Sequence, residues 1–388
     1  MKTKSIDNFR IYPDFKNPGF ERPMRHLLWS VLALFALVAY SPSTDAAENT
    51  NLFTSSWTKV CLKGQETNGK QICLTGLEGR LELGGLAVAV VLIESEGTDK
   101  KILQVIVPLG MQIVHGTRVT IDQRQPIAKP YVACTAKGCA ADYEADAETI
   151  QAMQVGKILT VQAINMQGTP ISFPLPLGKF ADAYKGSPTD QKLVDEKHKK
   201  FDAELKQSGR SARPRLPTLA DPTIALAKSL FELTEEQTKL FTYSLWKKSC
   251  GKDGNKEVCV VTKDGKLENG VPVVIVQLFE PEGQPKVLRV TVPLGMQLQR
   301  GTRIILDQGS MQKPYLICFP VGCMSDFSAT DDMVANMKKG KMITVQAINT
   351  RGMLINLPVP LNDFATAYDG PATDQKVSKE PQKKPRRN

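Results

Sequence analysis

The sequence predicts an all-β protein in which one β-sandwich domain occurs twice in tandem. Three observations carry this. Long stretches recur at a nearly constant offset, apolar residues alternate through short segments, and eight cysteines stand in two sets of four. The recurrence is direct. VPLGMQ at 107–112 returns at 292–297, and KPYVACTAKGC at 129–139 returns as KPYLICFPVGC at 313–323. GKILTVQAIN at 156–165 returns as GKMITVQAIN at 340–349, and LPLGKFADAYKGSPTDQK at 175–192 as VPLNDFATAYDGPATDQK at 359–376. The offset stays between 184 and 189 residues and each unit is about 130 residues long, too long for a solenoid repeat.

In chain order the sequence divides into five parts. Residues 1–46 hold an N-terminal extension and an export signal. Arg25 and His26 supply the basic start, Leu27 to Tyr40 a 14-residue apolar stretch, and Thr44 and Ala46 the small residues of a cleavage site. Fourteen residues fall short of the ~20 needed to span a bilayer, so no membrane span is expected after cleavage. The first domain is expected at 52–186, a charged and partly helical linker at 187–240, the second domain at 241–370 and a basic tail at 371–388. In the linker, Asp221 followed by Pro222 reads as a helix start. A fully flexible linker of 54 residues has an end-to-end distance of ~40 Å, which lets the two domains engage separate sites.

Within each domain alternation marks the strands. ILQVIV at 102–107 and VLRVTV at 287–292 place Leu103, Val105, Val107 and Leu288, Val290, Val292 on one face. TRVTID at 117–122 and TRIILD at 302–307 alternate again, and the apolar runs at 86–93 and 271–279 lead into the turns EGTD and EPEG. YVAC, ILTVQAIN and ISFPLP add further strands. Short strands with frequent turns suggest a sandwich of immunoglobulin-like type. One helix interrupts each unit: about Ala145–Val155 stopped by Gly156, and a helix capped by Thr330 and stopped by Gly340. FADAY and FATAY read as closing helical turns that dock Phe180, Tyr184, Phe364 and Tyr368 on the core.

The cysteines carry the most specific local chemistry. Four per unit allow three connectivities. Cys61 and Cys73 flank a polar loop, and Cys250 and Cys259 flank a loop three residues shorter. A cysteine kept at each edge while the loop drifts suits a disulfide pinching a hairpin. Cys134/Cys139 and Cys318/Cys323 keep a fixed spacing that suits a tight closed loop. The expected bonds are therefore 61–73, 134–139, 250–259 and 318–323, formed in an oxidising compartment after export. The rivals are a four-cysteine zinc site, which lacks paired CxxC knuckles, and a redox pair, which needs CxxC at a helix start.

The duplication makes each copy a control on the other. His115 is replaced by Arg300, His198 lies in the linker and His26 in the signal, so no histidine is shared. That argues against Ser-His-Asp or Cys-His catalysis in both copies. Asp122/Asp307, Asp142/Asp326, Arg118/Arg303 and Tyr131/Tyr315 are shared. A carboxylate pair can hydrolyse glycans. The structural reading has Asp122 end a strand, Asp142 cap the chain after the disulfide, and Arg118 pair with one of them. No residue is expected to be catalytic, to hold a cofactor or to ligate a metal.

Charge is concentrated at the C-terminus, where residues 376–388 carry six basic residues and one acidic out of a net charge of +10. The tail is a candidate tether to anionic lipid or glycan. Nearly neutral domains and export argue against a nucleic-acid partner.

The ordered series Trp57–Cys61–Cys73, Pro108-Leu109-Gly110, Gly116 before Asp122, Cys134–Gly138–Cys139, Gly156 and Phe180-Ala181-x-Ala183 recurs in the second unit. There it reads Trp246–Cys250–Cys259, Pro293-Leu294-Gly295, Gly301 before Asp307, Cys318–Gly322–Cys323, Gly340 and Phe364-Ala365-x-Ala367. Each unit resembles the invasion-associated locus B (IalB) family of exported bacterial proteins. The resemblance covers both domains and leaves out the linker and tail. Such proteins typically have one domain, so the tandem form departs from the pattern. The resemblance implies an extracytoplasmic immunoglobulin-like fold, association with host-cell invasion and no established catalytic residues. The function expected is a non-enzymatic, disulfide-stabilised binding protein of the bacterial envelope, periplasmic, outer-membrane associated or secreted, with an unidentified envelope or host-surface partner. The alternatives are a periplasmic envelope-maintenance factor and, less favoured, a glycan-acting hydrolase.

Overall fold

Period-two burial decides where each strand faces. Along Ile102–Val107 every second residue is buried, and the same pattern runs through Ile158–Ile164. The computed structural model describes residues 48–49, 52–63, 69–81, 85–190, part of 192–203, 241–268, 270–307 and 309–372. The export signal at 24–46, the helix expected after Pro222 and the basic residues 376–388 lie outside the described residues.

The first repeat contains β1 (Glu48–Asn49), β2 (Phe53–Thr54), β3 (Thr58–Leu62), β4 (Ile72–Arg80), β5 (Leu86–Ser95) and β6 (Ile102–Val107). It continues with β7 (Thr117–Ile121), β8 (Ile127–Lys129), β9 (Tyr131–Thr135), β10 (Gly138–Glu144), α1 (Ala147–Val155), β11 (Ile158–Ile164), β12 (Pro170–Pro176) and α2 (Phe180–Lys185). One sheet runs β2-β4-β5-β6-β10-β9 with β3 also on β4, and the other runs β1-β12-β11-β7-β8. The second repeat contains β13 (Thr242–Tyr243), β14 (Lys247–Asp253), β15 (Lys256–Lys266), β16 (Pro272–Pro281), β17 (Val287–Val292), β18 (Thr302–Leu306) and β19 (Gly309–Lys313). Then follow β20 (Ile317–Phe319), β21 (Gly322–Ser328), α3 (Asp331–Lys339), β22 (Met342–Ile348), β23 (Leu354–Pro360) and α4 (Phe364–Asp369). Its sheets run β13-β15-β16-β17-β21-β20, with β14 on β15, and β19-β18-β22-β23.

Each repeat is thus a two-sheet β-sandwich, and the all-β tandem fold read from the sequence holds. The inner faces meet in an apolar core. Val90, Leu92, Leu103 and Val105 come from one sheet, and Leu159, Val161 and Leu175 from the other. Burying each such side chain contributes roughly 1.5–3 kcal/mol.

The helices fill one end of each sandwich. Thr330 caps α3 by accepting from the Met333 N–H at 3.2 Å, and Asp146 caps α1 by accepting from Thr149 N at 2.7 Å. The first helix begins two residues later than its sequence pattern suggests. Ala145, just past the end of β10, still bonds the neighbouring strand's end, its N–H donating to Lys101 O at 2.9 Å. The cap then falls on Asp146, whose carboxylate suits that position.

The linker does not start as free chain. Thr189 N donates to Lys59 O at 2.7 Å, residues 192–194 and 199–201 are helical, and Val194 is buried. The Arg80 guanidinium lies 5.5 Å from the Phe201 ring centre. The beginning of 187–240 is therefore laid against the first repeat.

Candidate functional site

Two constructions occur in both repeats: a ledge of aromatic rings and lysines at the closing helix, and a seam where the repeats meet.

The ledge forms because α2 brings Phe180 into the core beside Trp57. The two rings meet edge-on at 5.0 Å, and Tyr184 stacks on Phe180 at 5.6 Å. The indole N–H of Trp57 donates to Pro176 O at 2.7 Å, which fixes the ring. Lys59 Nζ donates to Tyr184 O at 2.9 Å and sits 5.8 Å from the Tyr184 ring centre. Lys101 Nζ donates to the Tyr184 hydroxyl at 2.7 Å and pairs with Glu94 at 2.9 Å. The second repeat rebuilds the arrangement. Trp246 meets Phe364 at 4.9 Å and Phe364 meets Tyr368 at 5.8 Å. Lys248 Nζ donates to Tyr368 O at 2.8 Å, and the Tyr368 hydroxyl donates to Glu280 at 2.6 Å. Lys286 lies between Glu280 at 3.4 Å and Asp331 at 2.8 Å. Lys338 stands 4.4 Å from the Tyr368 ring centre.

Lys101 and Lys286 are poor proton-transfer groups. The Tyr184 hydroxyl, and then Glu94, hold the Lys101 ammonium above its ordinary pKa, and Asp331 does the same for Lys286. A general base needs a pKa near the working pH, and these shifts run the other way. The ledge instead sets ion-paired ammonium groups around the tyrosine ring: Lys101 with Glu94, Lys286 with Glu280 and Asp331, and Lys338 with Asp369. In the first repeat an open groove of about 400 Å³ runs along it, lined by Trp57, Lys59, Lys179, Asp182, Ala183 and Thr189 among others.

The shared polar residues hold the backbone. Asp122 sits at φ 50° and accepts from the N–H groups of Lys157 at 3.0 Å and Ile158 at 2.9 Å. Those two bonds, Ile158 first, hold its carboxyl below the usual carboxylate range. Asp307 repeats the left-handed turn at φ 52°. Asp142 does not cap the chain: it lies within β10 and accepts from Gln104 Nε2 at 2.9 Å. Its counterpart Asp326 accepts from Nε and Nη2 of Arg289, at 2.7 and 2.8 Å. Asp122 follows β7 in one sheet and Asp142 belongs to the other, so they are not brought together as a pair. Among the described residues no ion pair joins Arg118 to either aspartate, and Arg303 donates to Ser310 Oγ at 2.9 Å. His115 is exposed at the end of a 3-10 turn. Tyr131 and Tyr315 are buried core residues, and burial pushes the Tyr315 phenol up to about 12.

The eight cysteines lie in four cross-strand pairs at bonding distance: Cys61–Cys73 (1.95 Å), Cys134–Cys139 (1.98 Å), Cys250–Cys259 (1.96 Å) and Cys318–Cys323 (2.03 Å). Two sulfur-containing groups come close enough to hold a metal ion, Cys134/Cys318/Cys323 and Cys250/Glu257/Cys259. Their sulfurs are tied up in disulfides, and the thiolate is the metal ligand.

The first of these groups marks the seam. β9 and β20 are the last strands of their sheets, each with one unpaired edge. Cys134 and Cys139 oppose each other with Cα atoms 3.9 Å apart, and Cys318 and Cys323 at 4.0 Å. That is the close, non-hydrogen-bonded spacing of an antiparallel pair, where backbone groups point away from the partner strand. The other repeat takes them up. Gly110 N donates to Cys318 O at 2.8 Å, and its equivalent Gly295 N donates to Cys134 O at 2.8 Å. Ile113 N adds a bond to Leu316 O at 2.7 Å. Bridges pair Gln112 with Ile317 and Gln297 with Ala133. The PLGMQ segment of each repeat thus covers the edge strand of the other, an isologous contact inside one chain. Gly110 and Gly295 adopt φ 91° and 88°, which only glycine takes without strain. The repeats are therefore joined directly rather than held apart by a flexible linker.

Neither the ledge nor the seam was visible in the sequence reading. Lys101 and Tyr184 are 83 residues apart, and the seam runs through backbone groups. The available signal was that Lys59, Glu94, Lys101 and Tyr184 each recur, as Lys248, Glu280, Lys286 and Tyr368.

Among solved structures, the crystal structure of invasion associated protein b from Bartonella henselae is 25% identical, with the match covering 33% of this chain and 90% of that chain at a TM-score of 0.30. No match is found among curated proteins. A family model described as "Invasion associated locus B (IalB) protein" matches residues 57–188 and again 246–372. These two regions make up more than half of the sequence and coincide with the two sandwiches: the chain belongs to the IalB family, with the family domain present twice.

Proposed function

We propose that the protein is an exported, non-enzymatic interaction protein of the bacterial cell envelope, of the kind that promotes host-cell entry. The observation that carries this reading is the ledge. The same Trp–Phe–Tyr stack with its lysines and glutamate is built twice, the Trp and Phe rings buried in the core and the tyrosine half-buried at the surface, with Lys101 and Lys286 held protonated. Ordered ammonium and carboxylate groups around a half-buried tyrosine ring suit a partner with polar groups and ring surfaces, such as an envelope or host-surface glycan or lipid headgroup. Family membership and the four disulfides support an extracytoplasmic setting. Carrying both ledges on one body raises avidity for a surface without new contacts. The basic tail adds a second attraction to anionic surfaces.

The test is protease and antibody accessibility on intact cells of the native producer, with a periplasmic protein as control. Digestion on intact cells is the expected result. Protection until the outer membrane is permeabilised overturns the host-facing role and replaces it with periplasmic envelope maintenance.

A further inference from the structure

The seam places two buried disulfides face to face. Cys134, Cys139, Cys318 and Cys323 are all fully buried. Cys134 Sγ lies within 4.8 Å of both sulfurs of the Cys318–Cys323 bond, although 184 residues separate Cys134 from Cys318. The contact follows from the reciprocal backbone bonds at Gly110 and Gly295, which clamp the two cysteine hairpins together.

We propose that Cys134 and Cys318 form an alternative, inter-repeat disulfide that locks the two repeats together covalently. The exchange needs a low-molecular-weight thiol, or a thiol of an oxidoreductase, as co-reactant. Its thiolate attacks Cys139 Sγ when the seam opens. A mixed disulfide forms on Cys139, the Cys134–Cys139 bond breaks, and Cys134 leaves as a thiolate. On reclosing, Cys134 Sγ attacks Cys318 Sγ, the Cys318–Cys323 bond breaks, and Cys323 leaves as a thiolate that takes up a proton. The count of disulfides is unchanged: two hairpin bonds become one inter-repeat bond and one mixed disulfide. The new bond closes a far longer loop than the five-residue separations it replaces. In the chain-entropy model a longer loop restricts the unfolded chain more.

Buried disulfides are ordinarily inert, and here access is gated by the seam. Among the described residues three backbone hydrogen bonds join the repeats directly, each contributing about 0.5–1.5 kcal/mol net. The lock therefore forms only after transient separation, and it captures the closed state.

Peptide mapping of the full-length protein tests this. Trypsin cuts after Lys137, between Cys134 and Cys139, whereas no Lys or Arg separates Cys318 from Cys323. The starting protein yields peptide 125–137 linked to 138–157. After incubation with reduced glutathione and removal of free thiol by alkylation, the expected product is 125–137 linked to 304–338, rising from absent to readily detected, with glutathione on 138–157. The double variant Cys139→Ser, Cys323→Ser leaves only the two facing cysteines in the seam. In air it is expected to form the 134–318 bond as its dominant state. Quantitative alkylation of both thiols in a folded double variant overturns the proposal. If the double variant does not fold, absence of the 125–137 to 304–338 link in the glutathione-treated natural sequence overturns it equally.

Discussion

The two repeats keep one frame and fill it differently, and the differences show which positions the frame fixes. In the first repeat the buried Thr117 hydroxyl bonds the Tyr143 hydroxyl at 2.7 Å. The second repeat has Phe327 in place of Tyr143, so that hydroxyl is lost, but Ser325 stands in place of Ala141 and bonds Thr302 at 2.9 Å. The partner moves two residues along the strand and the buried group stays satisfied. Leaving it bare is costly, so the frame fixes the hydrogen bond and leaves its donor free. At Leu77 the frame is looser. Lys263 occupies the equivalent place, 3% exposed, its ammonium 5.6 Å from the Trp246 ring centre and 5.9 Å from that of Tyr243.

The largest effect is expected where the repeats agree. Trp57→Ala and Trp246→Ala each remove the ring that packs on the closing helix, and each should cost about 3–5 kcal/mol. Chemical denaturation checks this; a loss in one repeat only would break the equivalence of the two ledges. Next comes the compensated hydroxyl. Tyr143→Phe should cost about 1–3 kcal/mol by stranding Thr117. Adding Ala141→Ser, the second repeat's solution, should recover most of it, and no recovery would show that the two arrangements are not interchangeable.

Lys263 separates the repeats by pH. Burial pushes its pKa down, opposed by Asp363. The unfolded chain then holds the proton more tightly than the folded one, so stability rises with pH between the lowered folded value and the ordinary 10.5. Lys263→Leu should stabilise on the order of 1 kcal/mol at neutral pH, and the gain should shrink as pH approaches 10.5. A pH-independent gain would assign the effect to packing alone. The smallest effect belongs to the outer sheet face. Arg289–Asp326 replaces Gln104–Asp142, a pair with no cationic member, and a double-mutant cycle should give about 0.5–1 kcal/mol for the ion pair. That coupling should weaken with added salt, whereas the Gln104–Asp142 coupling should not.

Much of the fold was legible because duplication repeats its own signals. The strands at 102–107 and 117–121 show in their alternation, and the helices stop at Gly156 and Gly340 as expected, although both glycines are extended (φ −73° and −70°) rather than left-handed. β8 and β19 were not legible: they are exposed along their whole length and carry no apolar alternation. Gly138 and Gly322 read only as family markers, yet a side chain there would meet Val107 O or Val292 O at 2.2 Å. The ledge needed proximity between residues far apart in sequence. The seam left no side-chain pattern, because N–H and C=O groups make it and every residue has them.

The repeats form one body through that seam, and cutting the linker tests this. A specific protease site placed between Gly209 and Ser211 of the full chain allows cleavage after folding, in buffer free of thiols. No disulfide then joins the halves. Native mass measurement is expected to find the cleaved halves together as a single one-to-one particle of the uncut mass. Two separate species, each near half that mass, would contradict the account and return the repeats to independent domains on a tether.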